Sequence, residues 1–401
     1  MGSHNRNRIN RRAFLRLMGT TAGVVAGQAL LPATTRAAWI ETPQQSMRIG
    51  VIVPESAMAP TFGPSLVSGL QQGLAQPTAP AWSLDVRQYG YRQHNALKAA
   101  EALLETGVNL IVGAMSFDLV RQLTPHLEAH RTPLIISDVG AIMPRRRHTS
   151  PFILRNSLGH WRAAWALGQW AAAHVGRRAL IATSFYDSGY DTIYAFSSGF
   201  KQAGGTEPEL IVTDHPTGGS PDLAAVVMAT KPDVIFAAAN GRRAAEFARM
   251  YHNLGPSNRI PLLVSPFFAD EAWHADERAT IPGMLSAHSW SPELTPQLSM
   301  PGAIAALGYD TGLLIASAAG SARKADLAVA LTNTTVRGVR GTHRFNHEHL
   351  EFETPIYLRE ERNSFESPIN TIIADLTALA ANPLAAPTGV RSGWQNAYLV
   401  A

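Results

Sequence analysis

Alternating strand and helix patterns place this chain in the α/β class, and three observations carry that reading. Short runs without charge, such as Val108, Leu110, Ile111 and Val112 after Gly107, read as strands buried on both faces, as in parallel sheets. Such runs alternate with stretches of 3.6-residue apolar period at intervals typical of βαβ units. The clearest unit, Gly107–Ala141, ends both of its strands on small or polar loops, and open α/β sheets take ligands outside the carboxyl ends of their strands. Ser116 with Phe117 after the first strand, and Ser137 through Gly140, Ala141 and Ile142 after the second, are therefore the first candidate site residues.

The chain opens on a segment that reads as an address. Residues 1–38 hold six arginines and no acid, and Arg11-Arg12-Ala13-Phe14-Leu15-Arg16 resembles the twin-arginine export motif. A mildly apolar Gly/Ala/Thr stretch to Leu31, then Pro32 and the small-residue site Thr35-Arg36-Ala37, complete a signal-peptide pattern whose apolar part is too short to span a bilayer. The expected destination is the periplasm. The whole chain carries 34 basic and 30 acidic side chains; without the leader the balance is 28 to 30, so its basic character makes no case for nucleic acid. The sequence has no cysteine, which excludes a lipid-attachment thiol and a disulfide framework. No later stretch approaches the roughly 18 apolar residues of a transmembrane run, so the mature protein is not expected to span a membrane. Its length suits two domains better than one core.

Met47–Pro54 reads as the first strand, with a loop over Glu55–Gly63 and a helix to about Gly73 that puts Leu66, Leu70 and Leu74 on one face. Leu84–Arg87 is a second strand, a helix follows over Asn95–Thr106, and then comes the central unit with its helix from Asp118 to about His130. Arg145-Arg146-Arg147-His148 is a charge run on a loop, either solvated surface or a docking patch for a membrane partner. Phe152–Asn156 is a connecting strand, and His160–His174 a helix carrying Trp161, Trp165 and Trp170. Ala179–Thr183, Leu210–Val212, Val234–Ala238 and Leu262–Ser265 read as further strands. Between them lie the polar turn Tyr186–Asp191 and helices to Gly204, over Pro221–Thr230 and through Arg249. Ala303–Ala319 is an apolar helix, Arg340–Asn346 a turn and strand, and residues 374–401 a tail with a Pro/Ala-rich stretch at Leu384–Gly389.

Taken together, MRIGVIVP with Gly63 and Gly69, GVNLIVGAMSF, TPLIISDVGA, YDSGYD, PDVIFAAAN, ALGYDTG and RGVRGTHRFN resemble, in order and spacing, the type 1 periplasmic binding proteins. The likeness is greatest to the branched-chain amino-acid receptors of ABC transporters. It implies two Rossmann-like lobes joined by a three-strand hinge, with crossovers near Arg155–Leu158, Leu285–Ser289 and Val336–Gly341. Lobe 1 would comprise 47–157 and 286–336, and lobe 2 would comprise 158–285 and 337–373. Ligand would bind between the lobes and be trapped by hinge closure. Matching the family's binding positions are Phe62, Ser116, Gly140, Ile142, Trp161, Tyr190, Asn240 and Phe267, with Arg242 a further polar candidate.

Two departures shape the expected ligand. The amino-acid receptors commonly carry a hydroxyl where Ile142 stands and an acid for the α-ammonium where Phe267 stands. A buried ammonium without a carboxylate partner costs several kcal/mol. The resemblance therefore implies a neutral, aromatic or apolar solute passed to an inner-membrane transporter; the alternative is a carrier of a sterol- or hopanoid-like lipid serving a non-ABC system. Motifs for hydrolases, metalloproteases, dinucleotides and P-loops are missing, and no nucleophile–base pair can be named, so neither an enzyme nor a cofactor is expected. His343, His347 and His349 match no standard metal spacing, and Asn346 suggests a turn between them.

Overall fold

The computed structural model describes residues 46–381 except 57–58, 78, 93, 144–149, 215–217, 220, 256–259, 270–280, 297–299, 321–325 and 364–367. The expected leader, the Arg145–His148 run and the tail beyond residue 381 lie outside the described residues.

The first sheet is built on β1 (Met47–Val53), which pairs in parallel with β2 (Trp82–Gln88) on one side and β3 (Leu110–Gly113) on the other. Two more parallel strands, β4 (Leu134–Ile136) and β5 (Ile153–Arg155), follow β3. Helices α1 (Phe62–Leu74), α2 (His94–Glu105) and α3 (Phe117–His130) connect them. The inner strands are buried on both faces. Ile49, Val51, Leu110 and Val112 pack into the core with Leu66 and Leu70, while Ile52 and Ile111 pack with Leu103 and Leu123. That two-sided cover is why these strands read as continuous apolar runs.

The second sheet repeats the plan with β6 (Ala179–Thr183), β7 (Glu209–Val212), β8 (Val234–Ala238), β9 (Leu262–Val264) and β10 (Leu285–His288), all parallel. Its helices are α4 (His160–His174), α5 (Asp191–Gln202), α6 (Leu223–Thr230), α7 (Gly241–His252) and the short α8 (Pro266–Ala269). The chain then returns to the first lobe with α9 (Ala303–Ala319), which packs on α1. A Cβ on Gly69 would lie 2.0 Å from the Ala305 carbonyl oxygen, and one on Gly308 2.2 Å from that of Leu66. The second lobe uses the same close helix crossing between α4 and α5, at Gly168 and Gly199.

The late strands depart from expectation. The segments β11 (Val336–Gly338), β12 (Gly341–Asn346) and β13 (Glu351–Glu353) extend the first sheet, whereas β14 (Tyr357–Asn363) and β15 (Pro368–Asp375) extend the second. The chain thus changes sheets between Glu353 and Tyr357, not at Val336–Gly341, which is the turn of an antiparallel hairpin pairing Val336 with His343. Likewise Leu285–His288 belongs wholly to the second sheet, so that crossing follows His288. The physical anchor of the hairpin is Arg340. It is fully buried, its Nε donates to Asp310 of α9 at 2.7 Å, and its other nitrogens donate to the Ser157 carbonyl and to Asn156 Oδ1.

Candidate functional site

The loops at the carboxyl ends of β3 and β4 are held by one buried ion pair. Arg155, at the end of β5, donates from Nε and NH2 to Asp138, and from NH1 to the Ile142 carbonyl at 2.9 Å. Asp138 also accepts from the Gly140 N–H, and the Arg155 guanidinium lies 5.1 Å over the half-buried Phe117 ring. Gly140 has φ 70°, and a Cβ there would meet Ser157 Oγ at 2.5 Å and the Gly159 nitrogen at 2.8 Å, so only glycine fits. This close approach lets the carbonyls of Val139 and Gly140 accept from the His160 and Trp161 N–H groups of the first turn of α4. They satisfy donors that Gly159, the residue before the helix, has no side chain to cap.

The same loop reaches the second lobe. The Met143 N–H donates to Asp191 Oδ2 at 2.8 Å, and the Asp191 N–H donates to the Ala141 carbonyl at 3.1 Å. Around this junction Tyr190, Phe267 and Trp290 from the second-sheet side share one apolar cluster with Phe62, Val139 and Ala141. The Tyr190 and Phe267 rings are 5.3 Å apart, tilted by 35°, and His160 meets Phe267 edge-on at 4.9 Å.

Below Tyr190 the turn is fixed by Asp187, which accepts from Ser184 Oγ at 2.5 Å and from Asn240 Nδ2 at 2.9 Å. Burial pushes its carboxyl up to about 7, against the opposing pull of the Ser184 hydrogen bond and the Arg243 charge. Arg243 pairs with Asp214 at 2.6 Å and lies 5.6 Å over the Tyr186 ring, itself edge-on to Tyr190.

This arrangement, two α/β lobes with strand-end loops meeting across aromatic rings, matches a family model described as periplasmic binding protein over residues 46–364. The chain belongs to the periplasmic binding proteins. An ABC transporter substrate-binding protein from Sphaerobacter thermophilus is 22% identical, with a TM-score of 0.70 over 82% of this chain and 98% of that one. A solute-binding protein of an ABC transporter from Rhodopseudomonas palustris BisB5, in complex with 3,4-dihydroxy benzoic acid, is 19% identical, with a TM-score of 0.65 over 82% and 97%. A leucine-binding protein from Thermotoga maritima MSB8 is 19% identical, with a TM-score of 0.60 over 81% and 99%. At these identities the likeness carries the fold. No curated protein matches the chain.

Within this binding-protein frame the predicted residues divide into three groups. Phe62, Ala141, Tyr190 and Phe267 come together in the interlobe cluster, and Ser116, Gly140 and Ile142 lie buried on the strand-end loops. Asn240 is buried too, but its amide is committed to Asp187. Trp161 packs with Trp165 and Phe196 of the second lobe and with Met143 of the first lobe's loop, and its ring meets His349 edge-on at 6.2 Å. Arg242 falls elsewhere: it is exposed and pairs with Glu246 one helical turn on. A residue four positions before Glu246 on a surface helix forms that pair by geometry alone. A cavity of about 590 Å³ in the second lobe, between Asp214, Leu223 and Phe247, is lined by none of the predicted ligand residues.

The three histidines of the late hairpin separate. His343 is buried against Asp310 and Arg340, His347 is exposed beside Phe345, and His349 faces Glu353 and the edge of Trp161. Among the described residues no group of three or more metal-ligating side chains comes together. The sequence does not single out His160, His288 and Trp290, which the fold brings beside the interlobe cluster. Trp290 follows a strand that reads only as a crossover, and His160 reads only as the start of a helix.

Proposed function

We propose that this binding protein closes its two lobes over a neutral, aromatic or apolar solute and presents the loaded form to an inner-membrane transporter. The observation that carries the reading is Phe267. Where the amino-acid receptors it resembles commonly hold an acid, this chain presents a phenyl ring 5.3 Å from Tyr190. The acids close by, Asp187 and Asp191, are engaged with protein groups. An α-ammonium buried here would lack a counter-charge, at a cost of several kcal/mol. Tyr190 and Phe267 can instead pack side by side against an apolar ring, each contact contributing about 0.5–1.5 kcal/mol beyond area burial. The close spacing of the rings favours a small solute over a lipid. The fold itself admits different cargoes, since one similar protein holds a dihydroxybenzoic acid and another is a leucine-binding protein.

Calorimetric titration tests the reading. Leucine should give no binding heat, an aromatic solute should bind, and Phe267→Ala should weaken that solute at least about tenfold, or about 1.4 kcal/mol. Micromolar binding of leucine would overturn it. Export by the twin-arginine route belongs to the same proposal: changing Arg11 and Arg12 together to Lys should strand the precursor in the cytoplasm, and a normal periplasmic yield would refute that route.

A further inference from the structure

Behind Phe267, at the hinge-side end of the interlobe cluster, lies a group of buried polar atoms that the fold leaves without partners. His160 is fully buried, and neither ring nitrogen has a hydrogen-bond partner among the described residues. Its ring meets Phe267 edge-on at 4.9 Å and His288 at 5.4 Å. His288, on β10 and 1% exposed, accepts at Nδ1 from the Trp290 N–H at 3.0 Å. Burial and the neighbouring Arg359 charge hold both histidines neutral, His160 down to about 3. A neutral ring that accepts at Nδ1 carries its proton on Nε2, so His288 presents an Nε2–H donor, and that atom has no partner among the described residues. The Trp290 indole N–H is in the same condition, while its ring packs in the cluster with Phe62, Tyr190 and Phe267.

Buried polar groups are almost always satisfied, and each exception calls for an explanation. Such atoms occur elsewhere too, at Trp161 and Trp165 for example, but those of His160, His288 and Trp290 lie on the two segments where the chain changes lobes, beside the ring proposed to meet the ligand. Core packing alone gives no reason for an imidazole rather than a phenyl ring at His160, whose nitrogens bond nothing among the described residues, and His288 uses only its Nδ1.

We propose that His160, His288 and Trp290 form the polar end of the ligand site and donate hydrogen bonds to an oxygen acceptor carried by the aromatic solute. The inference rests on the aromatic-ligand reading and narrows it. A site built to hydrogen-bond an oxygen rejects the analogue that lacks it, since its donors are then left unpaired. The acceptor is a carbonyl oxygen or a carboxylate, and the test separates the two.

The mature protein is titrated calorimetrically with acetophenone, with α-methylstyrene, which replaces the carbonyl oxygen by CH₂, and with benzoate. The expected result is that acetophenone binds at least about tenfold more tightly than α-methylstyrene, and that this preference disappears in His160→Phe. Tighter binding of benzoate than of acetophenone, also lost in His160→Phe, supports the site with a carboxylate as its acceptor. Equal binding of ketone and hydrocarbon, or a preference that survives in His160→Phe, overturns the polar end and leaves the aromatic pocket standing. Failure of all three probes to bind overturns both. The melting temperature of His160→Phe should stay level or rise, because no hydrogen bond is removed; a fall would mark the ring as structural and count against the proposal. Trp290→Phe, which removes the indole N–H together with part of the ring, gives the same comparison should His160→Phe fail to fold.

Discussion

Two buried polar groups stand at the hinge of this protein, and they are built on opposite principles. In the first, Asp310, Arg340, His343 and Asn156 satisfy one another. Arg340 donates to Asp310, to Asn156 and to the Ser157 carbonyl, His343 lies 3.1 Å from Asp310, and the Val339 N–H completes the carboxylate's shell at 2.7 Å. In the second, His160, His288 and Trp290 keep polar atoms that bond nothing among the described residues. The first group ties α9, the hairpin and the first crossover together, and its hydrogen bonds offset the desolvation of two charges. The second contributes one hydrogen bond, from the Trp290 N–H to His288 Nδ1, and no ion pair. A fully partnered cluster serves the fold, whereas the unpartnered polar atoms of the second are the ones proposed to meet a ligand.

The largest test of the contrast is Asp310→Ala, which strands the buried Arg340 charge. Urea unfolding should show a loss of about 3–5 kcal/mol, whereas His160→Phe strands nothing. Equal losses in the two variants would erase the distinction.

Acid should separate the groups next. The folded pKa of His160 is about 3 and that of His288 is well below 6.5, so between those values the unfolded chain binds protons that the folded protein does not. Stability therefore falls as pH drops below 6.5, by about 1.4 kcal/mol per unit for each histidine that stays unprotonated in the folded protein, down to about 3 for His160. Asp187, raised to about 7, opposes them with a single group between 7 and its ordinary 3.8. Burial pushes Asp310 up, but the charges of His343 and Arg340 outweigh it and hold the carboxyl below its ordinary value, so its contribution is lost only below about pH 4. His160→Phe should accordingly flatten the slope between pH 6 and 4 by one histidine's share. An unchanged slope in urea melts across that range would show that His160 does not titrate as its burial requires.

The smallest effect is expected at Arg242, whose side chain is 79% exposed. Arg242→Ala should change stability by less than about 0.5 kcal/mol and leave solute affinity as it was. A tenfold loss of affinity in titration would return it to the site.

The sequence by itself determined the α/β class and most of the parallel strands and helices of both lobes. It placed α4 at His160–His174 and β8 at Val234–Ala238, because strands buried on both faces and amphipathic helices write their periods directly into the chain. It also placed Ser116, Gly140 and Ile142 on strand-end loops. It misplaced the third crossover, because β13 has only three residues and β14, Tyr-Leu-Arg-Glu-Glu-Arg-Asn, shows little apolar signal. It could not say what Trp161 and Phe267 each meet, since both are large, apolar and next to a loop. Tertiary structure decided that Phe267 meets Tyr190 while Trp161 packs with Trp165, Phe196 and Met143. Only tertiary structure, too, could bring His160 against His288, 128 residues further along the chain, with both His160 nitrogens and His288 Nε2 unpartnered among the described residues. Whether a buried polar atom is satisfied depends on neighbours far away in sequence, and local pattern carries no record of them.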